Sequence, residues 1–315
     1  MKRLLISIAL LLSITITQAQ SNNLIKLVVA FPPGGPVDSM ARLLVEPLSK
    51  ELNAQIIVEN KAGGNGAIAA EFLAANSNDG KTIWFTSAGA VAINPSLYEK
   101  LAYNPMKDLA PVSLVANNVE VLVVNSSSPA NNAVEFVALA RKKALTIGSS
   151  GIGSVPHLAM EQFNDSANIK LLHVPYKGAA PVITDVIAGH VDGFFGDIPG
   201  LISFIKSGKL KAIGLAADVR SSAIPDVKTF AEMGLKGVDT NNWYAIFVKA
   251  GTPKANIDKL SAVIKKIVNQ DPLKTKLMQL GSDPVGSTPE ELNATLKKDS
   301  AKWNQLIKAK KITLE

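Results

Sequence analysis

From Leu24 onward the chain alternates short runs of aliphatic and β-branched residues with longer amphipathic stretches, a rhythm that commits it to an α/β architecture built on parallel strands. Ile25 to Ala30 predicts a buried strand, and Met40, Leu44, Leu48 and Leu52, four residues apart, predict the apolar face of the helix after it. Pro47 lies inside that helix and is expected to kink it, at a cost of about 3 kcal/mol. Further strands are predicted at Gln55 to Glu59 and Thr82 to Thr86, with an alanine-rich helix over Ala67 to Ala75 and the turn Asn78-Asp79-Gly80 between them. Val112 to Val124 is apolar enough for one or two strands leaving this first unit. A second alternation predicts strands at Leu145 to Ser149, Leu171 to Pro175, Val191 to Phe195 and Leu210 to Ala216, with helices at His157 to Phe163, Pro181 to Ala188 and Pro199 to Ser207. Trp243 to Lys249 predicts the last strand. The tail is expected to be helical only, with Leu292, Leu296, Trp303 and Ile307 on one face. At 315 residues, roughly twice the ~150 of a usual domain, two α/β lobes are expected, joined by strands crossing near Val124 and Asn241. Lobe 1 then comprises 20–124 with 241–315, and lobe 2 comprises 125–240.

The first 19 residues read differently. Lys2 and Arg3 precede the apolar run Leu4 to Ile16, which ends in Thr17-Gln18-Ala19, the order of a cleavable export signal; cleavage is expected after Ala19. No later stretch reaches the ~18 apolar residues of a membrane helix. The chain has no cysteine, which excludes disulfides, thiolate metal sites and a lipid anchor on a cysteine, so a periplasmic location is expected. Three histidines supply metal chemistry poorly, and neither a metal nor a cofactor is expected. The formal charge of +7 is dispersed over pairs such as Lys142-Lys143 and Lys265-Lys266. No dense basic block interleaves with aromatics, so no nucleic-acid partner is expected, while small anions are weakly favoured as ligands.

Three glycine clusters follow predicted strands. In FPPGGPVDSMAR, Gly34-Gly35 precede a helix whose start holds Asp38, a geometry that turns backbone N–H groups toward an anion; the alternative is a plain turn with Asp38 capping the helix. Gly64-Asn65-Gly66-Ala67-Ile68-Ala69 fits a dinucleotide-binding pattern, yet it follows the second strand, where close strand-to-helix packing accounts for it. The third cluster, Gly148 to Ser154, leads through Pro156-His157 into a helix, placing three hydroxyls and several N–H groups where a carboxylate or phosphate can be held. The same residues admit a hydrolase reading, Ser150 or Ser154 as nucleophile with His157 as base, although the G-x-S-x-G spacing is absent. His173 and His190 lack neighbours at metal-ligand spacing and read as structural. Asp197, at a strand end facing the crevice, would repel an anion unless it pairs with an ammonium group, holds a bridging water or caps the next helix.

Taken in order, FPPGGPVDSMAR, ENKAGGNGAIAAEFLA, NDGKTIWF, GSSGIGSVPHLAMEQF, VPYKGAAPVITDVIAGHVDGFF, SGKLKAIGLAA and KWNQLIK resemble the receptors of tripartite tricarboxylate transporters, the Bug family of periplasmic binding proteins. The resemblance implies a two-lobed Venus-flytrap fold, each lobe a mainly parallel sheet flanked by helices. It implies a receptor that closes on a small organic acid and delivers it to membrane transporter subunits; a non-catalytic monomer is expected, and a sensor subunit that reports its ligand to a signalling partner is the alternative with the same binding chemistry. The ligand loops it implies contain Phe31, Pro33, Gly34, Gly35 and Asp38; Ser87 and Ala88; Ser149, Ser150, Gly153, Ser154 and His157; Lys177, Gly178 and Ala179; and Asp197. The sequence departs from the family where NDGKTIWF replaces the more usual Pro-Asp-Gly-Tyr-Thr, and where Pro36 removes one N–H from the first loop.

Overall fold

Strands β1 (Leu24–Val29), β2 (Gln55–Asn60) and β3 (Thr82–Ser87) pair in parallel with β1 in the middle, as helical crossovers between consecutive strands require. The structure is a computed structural model that describes residues 23–313; the expected export signal lies outside them. The first crossover, α1 (Pro36–Leu52), runs through Pro47 without a break, and Met40, Leu44, Leu48 and Leu52 are all buried. Four aliphatic side chains at about 1.5–3 kcal/mol each outweigh the ~3 kcal/mol that an interior proline costs. The second crossover is α2 (Ala67–Ala75). Its glycine-rich approach is explained by packing: Gly66 has φ +93°, and a Cβ there would lie 2.7 Å from that of Ala90.

After two one-turn helices, α3 (Asn94–Leu97) and α4 (Pro105–Asp108), a single strand of 17 residues, β4 (Leu109–Asn125), runs the length of the molecule. Its pairing partners change at one point. Residues 109–119 pair antiparallel with β9 (Asn241–Lys249), whereas residues 120–124 pair antiparallel with β7 (Gly193–Asp197). A largely apolar run could be read as one strand or two; it is one strand serving two halves of a ten-stranded sheet, whose path β2-β1-β3-β9-β4-β7 continues through β5 (Thr146–Ser149) to β6 (Leu172–Pro175), while β8 (Leu210–Leu215) and β10 (Ser282–Pro284) each pair with β4 off that path.

The second half holds α5 (Ala133–Ala140), β5 (Thr146–Ser149), α6 (Val155–Ala167), β6 (Leu172–Pro175), α7 (Ala179–Ala188), α8 (Ile198–Lys206) and β8 (Leu210–Leu215), with β5 parallel to β6 and β7. β9 returns the chain to the first half, where α9 (Lys254–Val268), α10 (Leu273–Gln279) and α11 (Pro289–Lys310) cover the sheet. The tail is not helical only. β10 (Ser282–Pro284) pairs antiparallel with residues 116–118 of β4, and a three-residue Ser-Asp-Pro strand carries no apolar alternation by which to find it.

Candidate functional site

The carboxyl ends of the parallel strands in both halves open onto one narrow cavity, the place where open α/β sheets hold ligands. The loop after β1 contributes Phe31 and Pro32, β3 contributes Ser87, the loop after β5 contributes Ser150 and Ser154, and the ends of β7 and β9 contribute Asp197 and Asn242. Three helices begin at its wall: α1 with Pro36 and Val37, α6 with Val155 and Pro156, and α7 with Ala179. No lysine or arginine lines the cavity, so a bound anion would draw on the helix termini there and on no cationic side chain. A wider mouth adjoins it, sharing Phe31, Pro32, Asn65 and Ser150 and bordered by Tyr98 and Lys177.

The first loop is shaped by a residue that does not line the cavity. Asp38 is buried, and its carboxylate accepts hydrogen bonds from the N–H of Gly34 (2.9 Å), Nε of Arg42 (2.9 Å) and Nδ2 of Asn60 (2.9 Å). Burial pushes this carboxyl up, but the bonds from Arg42, Gly34 and Asn60 outweigh it and hold the pKa below the ordinary value. Asn60 also donates to the carbonyl of Phe31 (2.9 Å), tying the loop to β2. The cap of α1 is Gly35, with no side-chain hydrogen bond, so Asp38 braces the loop and does not cap the helix end.

In the second half, the loop after β5 spends most of its donors on itself. Ser154 caps α6, donating to the Gly151 carbonyl (2.7 Å) and accepting from the His157 N–H (3.4 Å). Gly153 donates its N–H to Nδ1 of His157 (3.1 Å), and Gly151 donates to the hydroxyl of Ser149 (3.1 Å). That hydroxyl lies 2.6 Å from Nε2 of His173, and the two imidazoles stack with centroids 3.9 Å apart. Burial, with His173 beside it, lowers the pKa of His157 to about 3, and burial lowers that of His173 to about 4, so both rings are neutral near pH 7. Since Nδ1 of His157 already accepts a proton donor, the ring braces the loop and does not face Ser150 or Ser154 as a base.

Asp197 does not cap the next helix with its side chain, the one anticipated role that the protein's own atoms decide. It stands at the cap position of α8 without making a cap hydrogen bond. Its carboxylate accepts from Nδ2 of Asn242 (2.9 and 3.1 Å) and from the hydroxyl of Tyr244, and it lies in register with Glu120 on β4. Glu120 is fully buried; desolvation and the adjacent Asp197 push its pKa well above the ordinary range. Burial raises Asp197 to about 6 against the hydrogen bonds from Tyr244, Glu120 and Asn242. One proton held between two carboxyls thus halves the charge at the cavity floor.

Of the residues anticipated from sequence, Phe31, Gly35, Ser87, Ser150, Ser154, Ala179 and Asp197 line the cavity, and Lys177 borders the mouth. Pro33 and Gly34 are exposed outside it, and Asp38, Ala88, Ser149, Gly153, His157 and Gly178 lie behind its wall. Asn65, Phe194, Gly196 and Asn242 line it without having been anticipated. Asn65 sits inside the glycine cluster read as packing, and Asn242 belongs to a polar Asn241-Asn242 pair ahead of the apolar run Trp243 to Val248, a signal that sequence reasoning can follow.

Among the described residues no group of three or more His, Cys, Asp and Glu side chains could hold a metal ion, and no helix is long and apolar enough to cross a membrane. Residues 40–312 match the family described as tripartite tricarboxylate transporter family receptor. The chain is 33% identical to a protein encoded in the tcbD–tcbE intergenic region of Pseudomonas sp. strain P51, over 97% of this chain and 93% of that one. It superposes on Rpa4515 of Rhodopseudomonas palustris, solved with adipate, with a TM-score of 0.90 and 28% identity over 93% of this chain and 99% of that one. For MatC of the same organism, solved with bound malate, the TM-score is 0.85 and the identity 29%, over 91% and 99% of the two chains. The strand-end cavity between two α/β halves, and a family match spanning nearly all the described residues, lead to one conclusion: the chain belongs to the tripartite tricarboxylate transporter receptors, a family of periplasmic solute-binding proteins and not of enzymes.

Proposed function

We propose that this receptor captures a small organic acid in the cavity between its two halves and presents it to the membrane subunits of a tripartite transporter, after export and cleavage behind Ala19. The observation that carries the reading is the convergence of the α1, α6 and α7 N-termini on a cavity lined by no cationic side chain. Helix termini attract a carboxylate without the desolvation cost of burying a lysine or arginine. The adipate and malate held by the two relatives are acids of this kind.

Ser150 lines both the cavity and its mouth, so it tests the reading. In Ser150→Asp a carboxylate would stand about 4 Å from that of the ligand, a repulsion of roughly 4 kcal/mol at an effective dielectric of 20, or about a thousandfold in Kd. Ser150→Ala removes one hydrogen bond, about 1 kcal/mol. Calorimetry with an acid that binds wild type should reproduce this order; equal binding by folded Ser150→Asp would place the carboxylate elsewhere.

A further inference from the structure

Two residues of the cavity wall carry an amide oxygen that lacks a donor, and both amides are locked in place. Asn65 is 9% exposed and Asn242 is 3% exposed; each lines the cavity, and Oδ1 of each has no hydrogen-bond partner among the described residues. Neither amide can be turned over to relieve this. Nδ2 of Asn65 donates to the carbonyl of Gly153 (2.9 Å) and to Oδ1 of Asn94 (3.0 Å). Asn94 is itself oriented by its donations to the carbonyls of Gly64 (3.1 Å) and Asn65 (3.2 Å). Nδ2 of Asn242 faces both oxygens of Asp197 and Oε1 of Glu120. Reversing either side chain would set a carbonyl oxygen against oxygen acceptors.

A carboxylate offers only acceptors. It can be held by helix termini, yet it leaves both amide oxygens unsatisfied, and a buried acceptor without a donor is expensive. We propose that the acid captured here carries a hydrogen-bond donor on its carbon chain, a hydroxyl or an ammonium group, which Asn65 or Asn242 reads; the proposal rests on the carboxylate reading above. Malate has such a donor and adipate has none, so the family's shared chemistry does not decide the matter for this chain. The amide oxygens do. An ammonium would gain further from the shared negative charge on Asp197 and Glu120, beside Asn242, whereas a hydroxyl needs only the acceptor.

The test is calorimetry on the purified chain with three matched sets: propionate, lactate and alanine; succinate, malate and aspartate; glutarate, 2-hydroxyglutarate and glutamate. In every set that binds, a donor-bearing member should bind at least about tenfold more tightly than the plain acid. The hydroxyl and ammonium members distinguish the two donors. In Asn65→Ala, Asn242→Ala or both, that ratio should collapse toward one, whereas a purely structural role would weaken all members of a set alike and preserve it. The comparison in wild type stands even if Asn242→Ala, which strips Asp197 of a donor, fails to fold. Plain acids binding as tightly as their donor-bearing counterparts, or a ratio surviving in both variants, overturns the proposal alone. Failure of all nine acids to bind overturns the carboxylate reading and this proposal with it.

Discussion

Asp38 shows how a residue can matter to a site it does not touch. Its three hydrogen bonds hold Gly34, Arg42 and Asn60 around the glycine loop after β1, so its loss should loosen the start of α1. Asp38→Ala is expected to cost about 2–4 kcal/mol, the range for removing a buried hydrogen-bonded carboxylate whose cationic partner can still reach water. Urea denaturation measures this; a loss under 0.5 kcal/mol, taken as about the scatter of surface substitutions, would show that the brace is not needed. The position of Asp38 beside a glycine turn was legible in the sequence, but the direction of its carboxylate was not. That direction depends on Asn60, which arrives from a neighbouring strand, and on Arg42, one helical turn later. The same holds for His157: its place at a helix start is local information, whereas its stacking on His173 depends on how β6 pairs with β5.

Strands and helices were largely legible because each carries its own periodicity. α1 showed its apolar face through Pro47, and the parallel order of β1, β2 and β3 followed from the crossovers between them. The exchange of partners along β4 was not legible, since an apolar strand looks the same whichever neighbour it pairs with. That exchange places Glu120 at the first position of the second half, opposite Asp197. The pair has a pH signature. Asp197 has its pKa raised to about 6 in the folded protein, above the ordinary carboxylate value, so its contribution to stability is full below that ordinary value and is lost as pH rises through about 6. Asp197→Asn removes this titration, relieves the part of the rise in the Glu120 pKa that the Asp197 charge causes, and introduces a pH-independent cost where its amide meets Asn242. The stability difference between variant and wild type should therefore shift in the variant's favour by on the order of 1 kcal/mol from pH 5 to pH 8. His157 and His173, whose lowered pKa values act in the opposite direction as pH falls, are present in both proteins and cancel in the difference. Denaturant titrations at four pH values decide it; a constant difference would mean that Asp197 does not titrate in this window.

At the scale of the whole molecule, the two halves touch across the cavity, and several of the contacts bring a glycine of one half against a side chain of the other. Asn65 from the first half donates to the carbonyl of Gly153 in the second. A Cβ on Gly178 would lie 2.7 Å from the ring of Pro32, and one on Gly200 would lie 3.0 Å from that of Pro36. Gly200 separates closure from folding better than the others, because it sits in the first turn of α8 with an ordinary helical backbone, where glycine has no conformational advantage. Replacing it should cost the second half nothing, and alanine there could add up to about 1 kcal/mol of helix propensity. The added atoms would instead press on Pro36 at the N-terminus of α1, wedging the halves apart. Gly200→Ala, at the edge of tolerated contact, should bind an acid ligand only slightly less tightly than wild type. Gly200→Val, with two more methyl groups directed at a rigid ring, should lose at least about tenfold in affinity, the equivalent of 1.4 kcal/mol. Without ligand, the melting temperature of Gly200→Val should stay near that of wild type, since β-branching costs a helix only some tenths of a kcal/mol. Solution scattering supplies the independent readout: the radius of gyration should shrink when wild type binds its acid and stay unchanged in Gly200→Val at saturating ligand. If the valine variant contracts and binds as wild type does, the approach of α8 to α1 is incidental, and capture does not require the halves to meet there.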